Sequence, residues 1–187
     1  MSAIEDVRAK LPPAARDLSL NLASVLGGES VLSAAQRWGV AVAAAIASRE
    51  PGLRDAVIEE ARTVAPESAI EDAVAGAALM GMNNVLYRFR HFLADQGRQS
   101  YDAHPARLRM QRLVRPAGAK VDFELVCLAV SAIHGCERCV VAHERAVIEG
   151  GLGPEHVFEA VRIAATIHGA AVALESASIA APVSAAA

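Results

Sequence analysis

Cys136-Glu137-Arg138-Cys139-Val140-Val141-Ala142-His143 is the stretch on which the fold turns, with Ile133-His134-Gly135 directly before it. A glycine after an apolar run stops a helix, so the simplest reading is one helix ending at Gly135 and another starting near Cys136. Cys139 and His143 then stand at i and i+4 on one helix face, and Cys136 returns to the same side two turns before the histidine. Two thiols this close can form a disulfide, and a neighbouring imidazole can hold one of them as a thiolate. Cysteines in a first helical turn also sit at the positive end of the macrodipole, beside unpaired backbone N–H groups, and Arg138 adds a formal positive charge between them. These effects favour the nucleophilic form of a thiol, and the pattern reads as dithiol redox chemistry.

Helical punctuation continues on both sides. Pro12-Pro13 opens a helix whose register runs through Leu18, Leu20, Leu22 and Leu26 to Gly27-Gly28, and Ser30 or Ser33 caps the next one. Further helices are expected at about 33–49, 53–63, 66–94, 105–113, 122–134, 136–150 and 154–176. Strand signals are nearly absent. Hydrophobic residues make up 53% of the chain but aromatics only 4%, so alanine-rich helices must approach closely, and the class is all-α. With 187 residues, a single domain spanning 1–187 is the expectation. The polar, proline-containing segment Gln96 to Arg115 reads as a joint between two halves and the tail Pro182 to Ala187 as frayed, with neither expected to hold the site.

The two halves, about 30–95 and 120–178, resemble each other when slid by about 88 residues. Pro66-Glu67, Ile70-Glu71 and Gly81 match Pro154-Glu155, Phe158-Glu159 and Gly169, while Ala56-Val57-Ile58-Glu59 recurs as Ala146-Val147-Ile148-Glu149 two residues out of step. This is the mark of an internal duplication. The counterpart of the dithiol stretch is roughly Arg49-Glu50-Pro51-Gly52, which has no thiol, so the chemistry belongs to the second half.

Charge and cysteine usage narrow the classes. The net charge of −3 leaves no basic stripe for a phosphate backbone, so nucleic-acid binding is not expected. No run reaches the roughly 18 uninterrupted apolar residues of a membrane span, and Met1 to Leu18 lacks a signal-peptide core, so the expected location is the cytoplasm. Three cysteines are too few for a secreted disulfide framework.

Around the motif, Glu124 lies on the helix that ends at Gly135, and an antiparallel hairpin brings it near the level of His143. It reads either as the carboxylate that orients the imidazole or as a solvated acid favourable to the helix dipole. His134 reads first as a helix C-terminal cap and second as an auxiliary of the site. Cys127 reads as a core residue, and His168 as a packed histidine. The stretch from Met80 to Tyr87 reads first as core, by Met and Leu at helical spacing, and second as the lining of a pocket. Its adjacent amides, Asn83 and Asn84, imply hydrogen bonds to buried backbone or a subunit interface.

Glu124, Cys136, Cys139 and His143 together form E-x11-C-x-x-C-x-x-x-H, which resembles the motif of the alkyl hydroperoxidase D (AhpD) family within the carboxymuconolactone-decarboxylase-like superfamily. Asn21-Leu22-Ala23-Ser24, Met80-Gly81-Met82-Asn83-Asn84-Val85, Leu108-Arg109-Met110, Ala129-Val130-Ser131-Ala132-Ile133 and Val141-Ala142-His143-Glu144 extend the resemblance, to actinobacterial members, along essentially the whole chain. The resemblance implies a duplicated helical fold assembling as a homotrimer. It also implies an antioxidant thiol peroxidase that reduces alkyl hydroperoxides and the partner peroxiredoxin AhpC. In that scheme Cys139 is the peroxidatic thiol and forms the mixed disulfide with the peroxiredoxin. Cys136 supplies a proton and resolves the sulfenic acid as the Cys136–Cys139 disulfide, and His143 is the base oriented by Glu124. No cofactor is tightly bound and no metal is implied. Electrons come from dihydrolipoamide on a lipoylated acyltransferase, kept reduced by dihydrolipoamide dehydrogenase.

One departure stands out. Members of the family place a histidine directly before the second cysteine, where this chain has Arg138, which stabilises a thiolate but does not shuttle a proton near neutral pH. Four other classes compete. Zinc held by Cys136, Cys139, His143 and Glu124 or His134 has suitable ligand types but lacks the second pair of a structural zinc module. A decarboxylase-like helical oligomer of the superfamily does not need the thiols. A thioredoxin-like protein needs a βαβ setting, and a structural oligomer with incidental cysteines is the non-enzymatic alternative.

Overall fold

Pro–Gly punctuation and helical period produce, in the computed structural model, helices and connecting turns throughout the described residues, 2–180. In chain order these are α1 (Ala3–Lys10), α2 (Arg16–Gly27), α3 (Ala34–Ser48), α4 (Pro51–Val64), α5 (Glu67–Ala94), α6 (Gln111–Val114), α7 (Lys120–Ile133), α8 (Glu137–Glu149) and α9 (Pro154–Ala180), with short 3₁₀ turns at Pro13–Ala15 and Gln99–Tyr101. No strand occurs among the described residues. The fold is all-α, as the composition requires. The frayed tail expected at Pro182 to Ala187 lies outside the described residues.

The duplication is visible as two three-helix runs. α3, α4 and α5 have 15, 14 and 28 residues, and α7, α8 and α9 have 14, 13 and 27. The first helix of each run is central: α3 and α7 pack on each other, and each also touches both long helices, α5 and α9. The runs therefore interlock around one core. Val40, Ala41, Val42, Ala43 and Ala44 of α3 are buried on every face, as are Phe123, Leu125, Cys127, Leu128, Ala129 and Val130 of α7. Small residues set these distances. A Cβ added to Gly76 of α5 would meet Val126 Cγ1 of α7 at 2.7 Å, so the α5–α7 crossing depends on that glycine.

One local expectation is corrected and one element is added. The helix expected at 105–113 is instead irregular to Met110, followed by the four-residue α6. Pro105 disfavours helix at the residue before it, and Arg107 takes a positive φ of 51°. The N-terminal stretch, read only for the absence of a signal core, forms α1: Ser2 caps it, and Ile4 and Val7 bury one face in the core. α9 is the one helix among the described residues long and apolar enough to cross a membrane, yet Ala160, Ile163, Ala164, Ile167 and Ala170 place one of its faces in the core.

α5 is the element that positions the site, because beyond α7 it also reaches α8. The linker is pinned to it. Buried Asp72 of α5 accepts hydrogen bonds from Arg112 Nε (3.1 Å), Ala117 N (2.8 Å) and Gly118 N (2.7 Å), so α6 is held against the α5 face.

Candidate functional site

α7 passes into α8 with no spare residue. Gly135 N donates to Ala132 O and Cys136 N to Ser131 O, both at 3.1 Å, which is the paired bonding of a Schellman motif. Gly135 has φ 65°, the left-handed conformation that the motif needs and that glycine adopts without strain. Cys136 is thus both the last residue of that motif and the N-cap of α8, with no side-chain capping bond of its own. In the first run the equivalent turn has Arg49 at φ 67° and Glu50 as N-cap. Glu50 accepts from the backbone N–H groups of Gly52 and Leu53. An anion is therefore accommodated at the α4 N-terminus, and a thiolate at the α8 N-terminus has the same helix-end environment.

Cys136 and Cys139 are bonded to each other, with Cα atoms 5.3 Å apart, and both are buried. They differ in access: Cys139 lines a cavity of about 400 Å³, and Cys136 is not among its walls. His143, one turn on, lines the same cavity. Its Nδ1 lies 2.6 Å from Glu124 Oε2, and its Nε2 lies 3.2 Å from Met80 Sδ. With Glu124 ionised, Nδ1–H donates to the carboxylate, so the free lone pair of the neutral ring is at Nε2, toward the cavity. Glu124 is thus buried against His143 rather than solvated. Burial favours its neutral form, but hydrogen bonds from His143 and Lys120 and their charges outweigh that, and its pKa is held below the ordinary value. Lys120 is its second partner, one helical turn before it, a contact the sequence reading did not single out.

The remaining candidates separate. Arg138 lines the cavity mouth, with its Nη2 3.3 Å from Asp95 Oδ1. His91 lines it too, and burial together with the Arg138 charge lowers its pKa. His134 caps α7. Its Nδ1 is 3.1 Å from Asn84 Nδ2, it is not among the cavity residues, and burial with the Arg88 and Arg49 charges lowers its pKa. Cys127 is fully buried, and its thiol is pushed far up by burial and the Glu124 charge, as suits a core residue. Among the described residues no three His, Cys, Asp or Glu side chains are gathered to hold a metal.

Sequence reasoning ranked the Met80 to Tyr87 part of the cavity wall as core before pocket, and it missed His91 and the linker side. Met80, Tyr87 and His91 come from α5, while Met110, Leu113 and Val114 come from the linker that had been set aside. The linker expectation is corrected, because Asp72 draws that segment over the thiol. The heptad-like step from Met80 to Tyr87 was legible, but it is equally the signal of a core stripe.

A helical bundle with a buried dithiol opening one helix, backed by a histidine–carboxylate pair, defines the class: an all-α dithiol redox protein. The family model for the carboxymuconolactone decarboxylase family matches residues 101–182. The chain is 56% identical over 187 residues to the alkyl hydroperoxide reductase AhpD of Anaeromyxobacter dehalogenans strain 2CP-1, covering 100% of this chain and 98% of that protein. It is 46% identical to the AhpD of Solibacter usitatus, over 92% of this chain and 95% of that protein. To the AhpD of Gluconacetobacter diazotrophicus it is 47% identical, over 93% of each. The chain belongs to the AhpD family.

Proposed function

We propose that this protein is an antioxidant thiol peroxidase that reduces alkyl hydroperoxides through a Cys136–Cys139 dithiol/disulfide cycle. The observation that carries the reading is that Cys139 opens onto an apolar cavity beside His143, whose ring is oriented by Glu124 at 2.6 Å. His143 Nε2 takes the Cys139 thiol proton. The thiolate attacks the terminal peroxide oxygen, the O–O bond breaks, and the alkoxide leaves with a proton, giving an alcohol and a Cys139 sulfenic acid. Cys136, buried behind Cys139, then attacks that sulfur and expels water to form the disulfide. Arg138 at the cavity mouth acts as an auxiliary fixed charge, and His134 as an auxiliary that holds the α7 end.

The same reading assigns reduction of the disulfide to dihydrolipoamide carried by a lipoylated acyltransferase and regenerated by dihydrolipoamide dehydrogenase. It gives the reduced dithiol a second task, the reduction of the partner peroxiredoxin AhpC through a Cys139 mixed disulfide. The chain acts as a single domain in the cytoplasm. Assembly as a homotrimer is supported by exposed Val85, Phe89 and Phe92 along one side of α5, an apolar stripe suited to another copy.

The test mixes the purified protein with an organic hydroperoxide and dihydrolipoamide and compares it with Cys136→Ser and Cys139→Ser for peroxide loss and disulfide formation. Loss of turnover in both variants supports the cycle. No turnover by the wild type, even with an added peroxiredoxin, refutes it.

A further inference from the structure

Lys120 is the first residue of α7, where a cation opposes the helix dipole and an acidic side chain is the favoured choice. Its ammonium is occupied by two acceptors from different parts of the site. Nζ donates to the backbone carbonyl of Leu113 and to Glu124 Oε1. Leu113 stands in the wall of the cavity that holds Cys139 and His143, and the other Glu124 oxygen, Oε2, lies 2.6 Å from His143 Nδ1. One ammonium therefore joins the cavity wall to the carboxylate behind the base. Glu124 has an open side as well. With Lys120 and Glu149 it lines a second hollow, of about 470 Å³, which His143 and Cys139 do not border. Burial disfavours the Glu124 charge, so a carboxylate with no cation on that side is drawn toward water in the hollow and away from the imidazole. Lys120 stands in that path. Its side chain is 52% exposed, so the ion pair adds little stability, and what it fixes is geometry.

We propose that Lys120 is a positioning residue that sets the base and the substrate wall together: it keeps Glu124 turned to His143 and ties that pair to the linker at Leu113. The inference rests on the peroxidase reading and deepens it, by adding a residue that is not among the cavity walls and acts through two that flank the chemistry. Its two contacts have separable effects. The Glu124 contact acts on proton removal from Cys139 by His143, a step common to every hydroperoxide. The Leu113 contact acts on the wall against which the organic group packs, and it matters when that group is large. Asp72 also holds the linker, through Arg112, Ala117 and Gly118, but those contacts do not include Glu124. Lys120 is the side chain that bonds to both.

The experiment uses reduced full-length protein as wild type, Lys120→Met, Lys120→Arg, Glu124→Gln and the double variant that combines Lys120→Met with Glu124→Gln. Single-turnover disulfide formation is read with ethyl hydroperoxide and with cumene hydroperoxide, alongside the melting temperature. Lys120→Met is expected to slow ethyl hydroperoxide about tenfold, a part of what positioned proton transfer supplies, and cumene hydroperoxide by about a further threefold. In the Glu124→Gln background the same change should leave the ethyl hydroperoxide rate within about twofold, because Lys120 acts through the carboxylate, while the further loss on cumene hydroperoxide persists. Lys120→Arg, which keeps a cation with several donors, should recover most of both rates, and the melting temperature of Lys120→Met should fall by no more than about 4 °C. Ethyl hydroperoxide rates of Lys120→Met within about twofold of wild type overturn the proposal, as do losses that simply multiply in the double variant. Equal losses on the two hydroperoxides overturn the tie to the wall. In each of these cases a wild type that is oxidised leaves the peroxidase reading standing. A wild type that neither hydroperoxide oxidises sinks that reading, and the role of Lys120 with it.

Discussion

Replacing Glu124 by glutamine tests how the site organises its base. The amide has the carboxylate's shape and keeps one acceptor oxygen, but it loses the charge that balances a proton on His143 and offers an N–H₂ to Nδ1, which favours the wrong ring tautomer. The side chain is 11% exposed and spans two partners, His143 Nδ1 at 2.6 Å and Lys120 Nζ. Positioned proton transfer contributes about 10²–10⁴ in rate, so hydroperoxide turnover should fall by that factor, or about 2.7–5.5 kcal/mol of barrier. Stability changes less. Charge-assisted bonds become neutral ones, but the Lys120 end is half exposed and solvent-screened, leaving a cost of about 1–2 kcal/mol, a Tm drop of roughly 2–8 °C. The pH dependence has a fixed sign. Because the folded pKa of Glu124 is depressed, its contribution is complete above the ordinary value of 4.5 and is lost as pH falls through the lower folded value. The stability gap between wild type and Glu124→Gln should therefore be constant near neutrality and close on acidification below about pH 4.5. Turnover within threefold of wild type between pH 7 and 8 would refute the orienting role.

Arg138→His restores the residue type that the family places before the second cysteine, adding a group that titrates near neutrality beside His91; a pH–rate profile that does not move would count against a role for Arg138 in the site's proton balance. Asp72→Ala releases Arg112 and two backbone N–H groups that pin the linker, and should cost about 3 kcal/mol, read by thermal or urea unfolding, together with a raised KM for bulky hydroperoxides as α6 leaves the cavity. An unchanged KM would mean that α6 stays in place without this clamp. Gly76→Ala puts a methyl 2.7 Å from Val126 Cγ1 and should cost about 1–3 kcal/mol, much of it recovered in Gly76→Ala with Val126→Ala; purely additive losses would show that the α5–α7 approach is not limited by this contact.

Short-range rules made the helices legible. The Ser33 cap and the Gly135 stop each act through neighbours within a turn, which a linear sequence displays directly, whereas α4 starts at Pro51, two residues before the expected 53. The same holds for Cys139 and His143, whose i and i+4 placement needs only a helix to be realised. The stretch 105–113 failed for the complementary reason. Its apolar residues looked helical, but their partners are the cavity and the Asp72 clamp, not each other.

What the sequence by itself determined is the helical class, the duplicated three-helix plan and the dithiol with its histidine, because each depends on period, caps and spacing along the chain. Only the tertiary structure decided that Glu124 faces His143 rather than solvent, that Cys139 and not Cys136 meets the cavity, that the linker roofs it, and that Asn84 is satisfied while Asn83 is not. Those outcomes hang on contacts between residues far apart in the chain, such as Met80 with His143. They are settled by which helix faces can approach, through small residues such as Gly76, and by no rule acting within a single turn.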